Sequence, residues 1–455
     1  MTHFSPDLVC RRLAIWLGTM LLLAGCAREK DPEPQSQPAT ELSAEVALEW
    51  SLLHLYLIRN TPGFTPPVAS RSLGYGGLTL YEAVVPGLPR SRSLAGQLNG
   101  LAALPKPQPG VHHWAAAVNA AQAQILRGLF ASTSAANKAR IDSLEAALQR
   151  RYRREAGEDV TARSAAFGKA VADAIFEWSK TDRGHEGYRR NFPTDFQLPA
   201  RPGVWQPTEN GLPAMQPYWG NNRTFLAVNA TLPLPLPIPY SADVRSQYFA
   251  QYLEVYTKNR VLTQAEKEIA VWWADDPSET FTPPGHSYNL ARIAIRTRNA
   301  TLGEAAEALA RTGIAVADAF ILCWRCKYTF FNERPYTFVR RAIDPTWIPF
   351  WPAPPFPGFV SGHATQSAAA ATVLEPMFGE NFVFTDDSHA GRPRDTLRRV
   401  DFRSRSFQSF WEAAEESAYS RFLGGIHTRQ DNDTGLREGR KVGRNVNALA
   451  WKKEV

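Results

Sequence analysis

The chain has 455 residues, a length that predicts one large domain or two fused domains. Hydrophobic residues make up 44% and charged residues 21%, which is typical of a globular protein with a sizeable core and excludes wholesale disorder and fibrous repeats. The formal net charge of +7 is modest and dispersed along the chain. Composition alone therefore does not indicate nucleic-acid binding, although it favours an anionic partner of some kind.

Residues 1–25 have the order of a secretory signal peptide, with Arg11 and Arg12 before an apolar run at 13–23. This run is too short to span a bilayer, so a short membrane anchor is the weaker alternative. The run leads into Leu-Ala-Gly-Cys, which ends at Cys26 and resembles a bacterial lipobox. The resemblance implies acylation of Cys26 and a lipid anchor in the cell envelope, and Ala27 implies the outer membrane, facing the periplasm. Residues 26–41 are polar and rich in proline, and they predict a disordered tether.

Apolar residues then recur with helical spacing, and strand-like alternation is nearly absent. Residues 42–190 predict an N-terminal helical bundle, with helices at 44–59, 68–85, 114–131 and 134–182. Residues 191–243 are rich in proline, tryptophan and asparagine and predict an irregular but ordered connection. Residues 244–455 predict a C-terminal bundle, with helices at 244–259, 264–273, 287–298, 302–330, 362–377, 409–423 and 434–450. The predicted fold is all-α, with two fused helical bundles.

Two cysteines remain after the predicted signal peptide, Cys323 and Cys326. Their C-x-x-C spacing permits a redox site, but the segment is predicted to be helical and has no βαβ context, so we favour a local disulfide or two core thiols. The adjacent His112 and His113 have no metal-ligand spacing and are interpreted as surface residues. The basic run at 392–405 has no assigned role.

The first chemical motif contains Lys327 and Arg334. These residues are seven apart, so one helix ending near Phe331 would place both cations on the same face. Pro335 follows directly and predicts the end of that helix, which would put the pair at the mouth of a site. For this pair alone, a solvated basic face explains the pattern better.

The second motif is Ser361-Gly362-His363, which opens an alanine-rich helix. Ser361 occupies the N-cap position, and the free N–H groups that follow it can bind an anion together with the helix dipole. Gly362 allows close approach to the backbone, and His363 offers acid–base chemistry near neutral pH. An ordinary capped helix with a surface histidine would give the same pattern.

The third motif contains Arg421, His427 and Asp431. Two glycines at 424–425 break the helix that carries Arg421, so the arginine and His427 can approach one point. An aspartate four residues after a histidine can fix its tautomer and leave the other ring nitrogen free as a ligand or nucleophile. Taken alone, His427 is better explained as a satisfied loop histidine. The last helix carries a smooth stripe that predicts close packing, formed by Gly435, Gly439 and Gly443.

In this order, the three motifs resemble the signature of the superfamily of vanadium-dependent haloperoxidases and type-2 phosphatidic acid phosphatases. Every charged position of the signature is present, and the one departure is Val360, where the family usually has proline. Residues 272–276, 324–327 and 354–359 resemble the surroundings of the site in the haloperoxidase branch, and the likeness extends over roughly residues 45–450. The resemblance implies a haloperoxidase-like fold with the active site in the C-terminal bundle.

The resemblance also implies the ligands of a tetrahedral oxyanion, either vanadate or phosphate. The oxyanion-binding residues would be Lys327, Arg334, Ser361, Gly362 and Arg421. His427 would bind vanadium axially or attack phosphorus, with Asp431 to orient it, and His363 would move protons on the other side. Lys327 would polarise the peroxide.

Two further residues would support the site, Asp276 as a partner of Arg421 and Phe356 as part of the halide pocket, although packing in a hydrophobic wall explains Phe356 equally well. The proline- and tryptophan-rich segments would wall the cavity.

The predicted function is that of a vanadium-dependent haloperoxidase, with vanadate as cofactor and with hydrogen peroxide and halide as substrates. One alternative is an acid phosphatase that hydrolyses phosphate esters through a phosphohistidine and needs no cofactor. Another is a lipoprotein that binds phosphate without turnover, although the intact His363 and His427 argue against it. Predicted partners are small molecules and the membrane through Cys26, with a possible homodimer and no nucleic acid.

Overall fold

The computed structural model describes residues 1–2 and 35–454. The predicted signal peptide and Cys26 lie largely or wholly outside the described residues. The prediction of a disordered tether up to residue 41 was wrong at its end, because Ala39 is buried and its N–H donates to the carbonyl of Gly87 at 2.9 Å. Residues 37–455 form one compact unit.

The structure is helical, as the apolar spacing predicted, and the strands among residues 35–454 form one short antiparallel pair. The helices of the described residues are α1 (Glu45–Asn60), α2 (Pro66–Val84), α3 (Trp114–Leu129), α4 (Ala135–Ala156), α5 (Glu158–Ser179), α6 (Ala227–Ala230), α7 (Gln247–Asn259), α8 (Gln264–Trp272), α9 (Thr282–Thr297), α10 (Leu302–Phe330), α11 (Pro335–Ala342), α12 (Gly362–Phe378), α13 (Phe410–Leu423) and α14 (Arg429–Asn447). The strands are β1 (Phe384–Asp386) and β2 (Arg405–Phe407).

Several predicted boundaries were wrong for local reasons. The helix predicted over 134–182 is interrupted at Gly157, whose φ of 83° cannot continue a helix. Helix α9 begins at Thr282, five residues before the prediction, and α14 begins at Arg429, because Thr428 and Asp431 form a capping box there. Helix α11 was not predicted at all; Pro335 opens it in the first-turn position that proline favours.

The longest helix, α10, lies at the centre and joins the two halves of the chain. It begins with a capping box formed by Thr301 and Glu304. It packs so closely on α2 that a Cβ added at Gly313 would lie 2.4 Å from the carbonyl oxygen of Leu73. One apolar core cluster extends from α1 to α14, so α10 is a rigid support for the residues at its C-terminal end.

The glycine stripe of α14 packs against α12. Cβ atoms added at Gly435 and Gly439 would lie 3.0 Å from the carbonyl oxygen of Ser361 and 2.0 Å from that of Thr365. The predicted close packing is therefore confirmed. It fixes the start of α12 beside the start of α14, where the second and third motifs lie.

The fold also tests the predictions made for the two cysteines and for the two adjacent histidines. Cys323 and Cys326 are buried free thiols, which leaves the core-thiol alternative. His112 is not a surface residue, because its ring is buried and stacks on Trp114 at 5.3 Å, while His113 caps α3. No helix of residues 1–2 and 35–454 is long and apolar enough to cross a membrane.

Much of the basic run at 392–405 is neutralised locally. Arg394 contacts Asp401 at 2.8 Å, and Arg398 contacts Asp395 at 2.9 Å. These partly exposed ion pairs lie close to one another in the sequence, and they account for a run that composition left unexplained.

Candidate active site

The three motifs meet at a cavity of about 180 Å³ in the second half of the chain. The first motif lies between the end of α10 and the start of α11, the second at the start of α12, and the third between the end of α13 and the start of α14. Gly362, His363, Arg421 and His427 line the cavity directly. Residues separated by up to a hundred positions thus form one site.

Lys327 and Arg334 converge on this site, but not in the way the sequence predicted. Helix α10 ends at Phe330, and Phe331 has a left-handed backbone with φ of 56° that turns the chain. Arg334 is the N-cap residue of the next helix, so the two cations do not share a helix face, and Pro335 begins a helix instead of following one. The turn at Phe331 allows both side chains to reach the cavity region from different helices.

The three cations Lys327, Arg334 and Arg421 are almost fully buried, with exposed fractions of 0%, 0% and 3%. Among the ion pairs of residues 35–454, none joins any of them to a carboxylate. Buried charges without a partner are costly. Burial accordingly lowers the pKa of Lys327 to about 7 and the pKa values of Arg334 and Arg421 to about 10 each.

These cations use some of their donors on backbone carbonyls and keep others free. Lys327 Nζ donates to the carbonyl oxygens of Pro357 and Gly358 at 2.7 and 2.8 Å, which leaves one of its three N–H groups. Within the described part of the chain, Arg334 Nη2 and Arg421 Nε are buried without a hydrogen-bond partner. Such unpaired donors around a cavity fit a bound anion that carries several oxygens.

The start of α12 adds neutral donors to the same cavity. Ser361 is the N-cap residue, and its Oγ accepts a long hydrogen bond from the N–H of Ala364 at 3.5 Å. A Cβ added at Gly362 would meet no atom closer than 3.8 Å, from the Trp324 ring, so no neighbour crowds this backbone, and Gly362 itself lines the cavity. The helix N-terminus therefore presents free N–H groups and positive potential to the cavity.

His427 is held in a single neutral form by its two neighbours. Its Nδ1 lies 3.0 Å from Asp431 Oδ2, and this is the contact predicted from their separation of four residues in the sequence. Its Nε2 lies 2.9 Å from Arg334 Nη1, and since a guanidinium can only donate, Nε2 carries a lone pair. Burial, and then the charges of Arg334 and Lys327, lower the pKa of His427 well below its ordinary value. The neutral ring is the form that can bind a metal or act as a nucleophile.

Asp431 performs two tasks at the start of α14. Its Oδ2 accepts from the N–H of Thr428 at 3.1 Å as well as from His427, and its own carbonyl accepts from the N–H of Ser361 at 3.0 Å. Burial raises the pKa of Asp431 to about 6, against the opposing charge of Lys327. The carboxylate therefore orients His427 and ties the second and third motifs together.

His363 lies on the cavity wall with its ring anchored at one end. Its Nε2 is 2.8 Å from the carbonyl oxygen of Trp273, which must accept, so Nε2 carries the proton. Burial, and then the charge of Arg421, lower the pKa of His363 well below its ordinary value. The neutral ring keeps Nδ1 as the atom able to take up a proton.

Phe356 and Asp276 both line the cavity. The Phe356 ring lies 5.1 Å from Lys327 Nζ and 5.0 Å from Arg334 Cζ, within the range of cation–π contact. Asp276 is half-buried, and among the ion pairs of the described chain none joins it to Arg421 within 4.0 Å. Burial raises the pKa of Asp276 to about 6, and Arg421 acts on it only through its field. The predicted direct pair is therefore not formed.

The remaining wall comes from irregular segments and from the first half of the chain. Pro352, Pro354 and Pro355 contribute from the segment before α12, and Asn210 and Met215 from the connection between the halves. The sequence predicted that proline- and tryptophan-rich segments would wall the site, and Asn210 and Met215 belong to one of them. It singled out neither of these side chains, nor the carbonyl of Trp273. A backbone carbonyl carries no residue-type signature, and the two side chains occur in no motif.

The comparisons with known proteins agree with this geometry. The family described as the VCPO second helical-bundle domain matches residues 307–453. A vanadium chloroperoxidase from Curvularia inaequalis is 27% identical over 357 residues, which cover 60% of this chain and 58% of that protein. The chain thus spans less than two thirds of the length of this relative.

Solved structures extend the likeness to the first half of the chain. A structure described as the first bacterial vanadium-dependent iodoperoxidase is 32% identical, with a TM-score of 0.80 over 92% of this chain and 99% of that one. A holo-type bacterial vanadium-dependent chloroperoxidase shares the fold at 15% identity, with a TM-score of 0.65 over 92% and 98% of the two chains. The chain belongs to the vanadium-dependent haloperoxidase family.

Proposed function

We propose that this protein oxidises a halide with hydrogen peroxide at a vanadate bound in the cavity. One observation carries the proposal: among the described residues, three buried cations have no carboxylate partner and lie at the cavity that the neutral His427 lines. Arg421 lines the cavity directly, while Lys327 and Arg334 lie against the ring of its lining residue Phe356. An anion with several oxygens would satisfy the free donors and remove the cost of the unpaired charges. Membership of the family favours vanadate among such anions.

The residues present fit this group. The free N–H of Lys327, Arg334 Nη2 and Arg421 Nε would bind its oxygens, with the hydroxyl of Ser361 and the N–H of Gly362 as neutral donors. His427 would hold the group through Nε2, because Nδ1 is engaged by Asp431, and Nε2 would give up its hydrogen bond from Arg334 Nη1 for this contact. Vanadate, when bound, would supply the Lewis-acid centre that activates hydrogen peroxide for oxygen transfer to a halide.

The protein's own side chains would then manage charge and protons. His363 Nδ1 would accept a proton from the incoming peroxide and return it to the departing oxygen. The single free N–H of Lys327 would donate to the oxygen where negative charge develops. Phe356 and the proline wall would limit water around these groups, which strengthens their electrostatic effect.

The test is an assay of purified protein with and without orthovanadate. Halogenation of a phenol dye should require both vanadate and peroxide, and iodide is the first halide to test, because the 32% identical relative is described as an iodoperoxidase. His427→Ala should abolish the activity, whereas His185→Ala, in the first half of the chain, should not change it. Release of phosphate from an ester, inhibited by vanadate and without halogenation, would instead identify an acid phosphatase.

We propose further that Cys26 carries the lipid that holds the protein in the envelope. The support is the lipobox-like sequence that ends at this residue, since an acylated cysteine gives stable anchoring when it carries more than one chain. The protein expressed with its native leader should incorporate labelled palmitate and fractionate with the outer membrane. Cys26→Ser should lose both properties, and incorporation that persists in this variant would contradict the proposal.

A further inference from the structure

A buried cluster of acids and histidines begins at the cavity wall and extends away from it, and no role was assigned to it in the function proposed above. We call it the Asp–His network, and its members are Asp275, His286, Asp386 and His389. His286 lies at its centre, with Nδ1 2.7 Å from Asp275 Oδ2 and Nε2 2.8 Å from Asp386 Oδ2. His389 Nε2 lies 2.9 Å from the other oxygen of Asp275. All four side chains are at most 2% exposed.

The geometry fixes the charge of His286. Both of its ring nitrogens face carboxylate oxygens, which can only accept, so both nitrogens carry protons. Burial lowers the pKa of His286, but the charges of Asp275 and Asp386 outweigh it and raise the pKa to about 10. The donor atoms of Asp275, His286 and His389 lie close enough to consider a metal ion. The distances, however, are those of hydrogen bonds, and His286 has no nitrogen left for a metal.

The Asp–His network holds the segment between α8 and α9 at three points. Trp272 Nε1 donates to Asp386 Oδ2 at 2.9 Å. The Trp273 ring stacks on the His286 ring, with centroids 4.4 Å apart and planes at 23°. Asp275 has a left-handed backbone with φ of 51°, which costs energy in a residue with a side chain. Its two carboxylate contacts stabilise that conformation, so the peptide units around Trp273 are fixed on both sides.

The carbonyl of Trp273 is the group that connects this segment to the active site. It accepts from His363 Nε2 at 2.8 Å and, more weakly, from Arg421 Nη1 at 3.3 Å. Because a carbonyl can only accept, its position decides that the proton of His363 stays on Nε2. If the carbonyl moved away, either ring nitrogen could carry the proton, and Nδ1 would no longer be free in every molecule.

We propose that the Asp–His network is a positioning device: it holds the Trp273 carbonyl in place, and thereby keeps the proton of His363 on Nε2 and its lone pair on Nδ1. The use of Nδ1 in turnover rests on the proposed function. The tautomer itself does not, because it exists in the protein without vanadate or peroxide.

The first measurement is a nitrogen-15 spectrum of the full protein labelled at histidine, which distinguishes the tautomers and the charged form of each ring. At neutral pH, His286 should show two protonated nitrogens and His363 a proton on Nε2 alone. A neutral His286, or a proton on Nδ1 of His363, would overturn the proposal without any variant. So would a stoichiometric metal ion in the purified protein that His389→Ala removes.

The second measurement compares Asp386→Asn with Asp387→Asn. Asp386 does not line the cavity, and its neighbour Asp387 is exposed and lies 3.6 Å from Arg296, so the control makes the same chemical change on the surface. Asp386→Asn should convert His286 to its neutral form at neutral pH, give a mixture of His363 tautomers and lower kcat for halide oxidation about tenfold. Asp387→Asn should leave all three unchanged.

The outcomes separate this inference from the proposed function. A folded Asp386→Asn protein with the original His363 tautomer and rate would overturn the positioning role. If Asp386→Asn does not fold, the spectrum of the unaltered protein still decides. If the unaltered protein shows no halide oxidation with vanadate, the proposed function fails, while the tautomer of His363 still tests the Asp–His network.

Discussion

Replacement of Arg421 by methionine should stabilise the protein and at the same time weaken its binding of oxyanions. Arg421 is 3% exposed, its Nε has no partner among the described residues, and its one hydrogen bond to the Trp273 carbonyl is long. Methionine is unbranched and apolar and fills a similar volume. The variant therefore removes an unpaired buried charge without leaving a large cavity.

The magnitudes follow from the burial of the charge. Burial lowers the pKa of Arg421 to about 10, well below the ordinary value of a guanidinium. At about 1.4 kcal/mol for each pKa unit, holding the cation in the anion-free fold costs about 3 kcal/mol. Arg421→Met should raise the free energy of unfolding by about 1 to 3 kcal/mol. The loss of one charge-assisted hydrogen bond, about 1.5 to 3 kcal/mol, should weaken phosphate or vanadate binding about 10- to 100-fold.

Urea denaturation without anion measures the first effect, and calorimetric titration with phosphate and with orthovanadate measures the second. Arg71→Met is the matched control, because Arg71 is also buried but contacts Asp182 at 2.6 Å. That variant should lose about 3 to 5 kcal/mol of stability, because the buried Asp182 would lose its ion-pair partner and keep only neutral donors. If Arg421→Met destabilises the protein as Arg71→Met does, or binds phosphate as well as the unaltered protein, Arg421 is not an unpaired charge that an anion stabilises.

Three further predictions concern the same cavity and its support. Burial lowers the pKa of Lys327 to about 7, so above pH 7 this side chain must take up a proton when sulfate binds. The affinity for sulfate, measured by calorimetry, should therefore fall by up to about tenfold per pH unit above pH 7. In Lys327→Met, the affinity for sulfate should not change over the same pH range. Gly439→Ala would place a Cβ 2.0 Å from the carbonyl oxygen of Thr365, so the free energy of unfolding should fall by about 3 kcal/mol. An unchanged melting temperature would contradict this close contact between α14 and α12. During turnover, peptide mass spectrometry should find Met215, which lines the cavity, oxidised before the more exposed Met377; the reverse order would indicate an oxidant acting from bulk solvent.

Much of the C-terminal bundle could be predicted because its signals are local. Helix α10 begins directly after Thr301 and is itself rich in alanine, and α12 follows the N-cap Ser361, so both were predicted within a residue of their start. The stripe of glycines on α14 predicted close packing, since only glycine, which has no side chain, allows two helix backbones to come so close together. The contact between His427 and Asp431 follows from their spacing at the start of a helix.

Other features could not be predicted because the local sequence is compatible with two different backbone structures. A proline either ends one helix or begins the next, and at Pro335 the structure has the second arrangement. The left-handed turn at Phe331 decides this, and nothing in a phenylalanine predicts that conformation. Asp276 has a charge of the right sign to pair with Arg421, but the intervening distance is a tertiary property.

The sequence by itself determined which chemical groups are available: the three motifs, their order, and the cations and histidines of an oxyanion site. Tertiary structure alone decided which charges lack a partner. Arg398 is neutralised by a neighbouring aspartate, whereas Arg421 is buried without one. Tertiary structure also assembled the Asp–His network from three separate segments around His286. The physical reason is that burial and electrostatic pairing depend on distances between residues far apart in the chain, which no local pattern specifies.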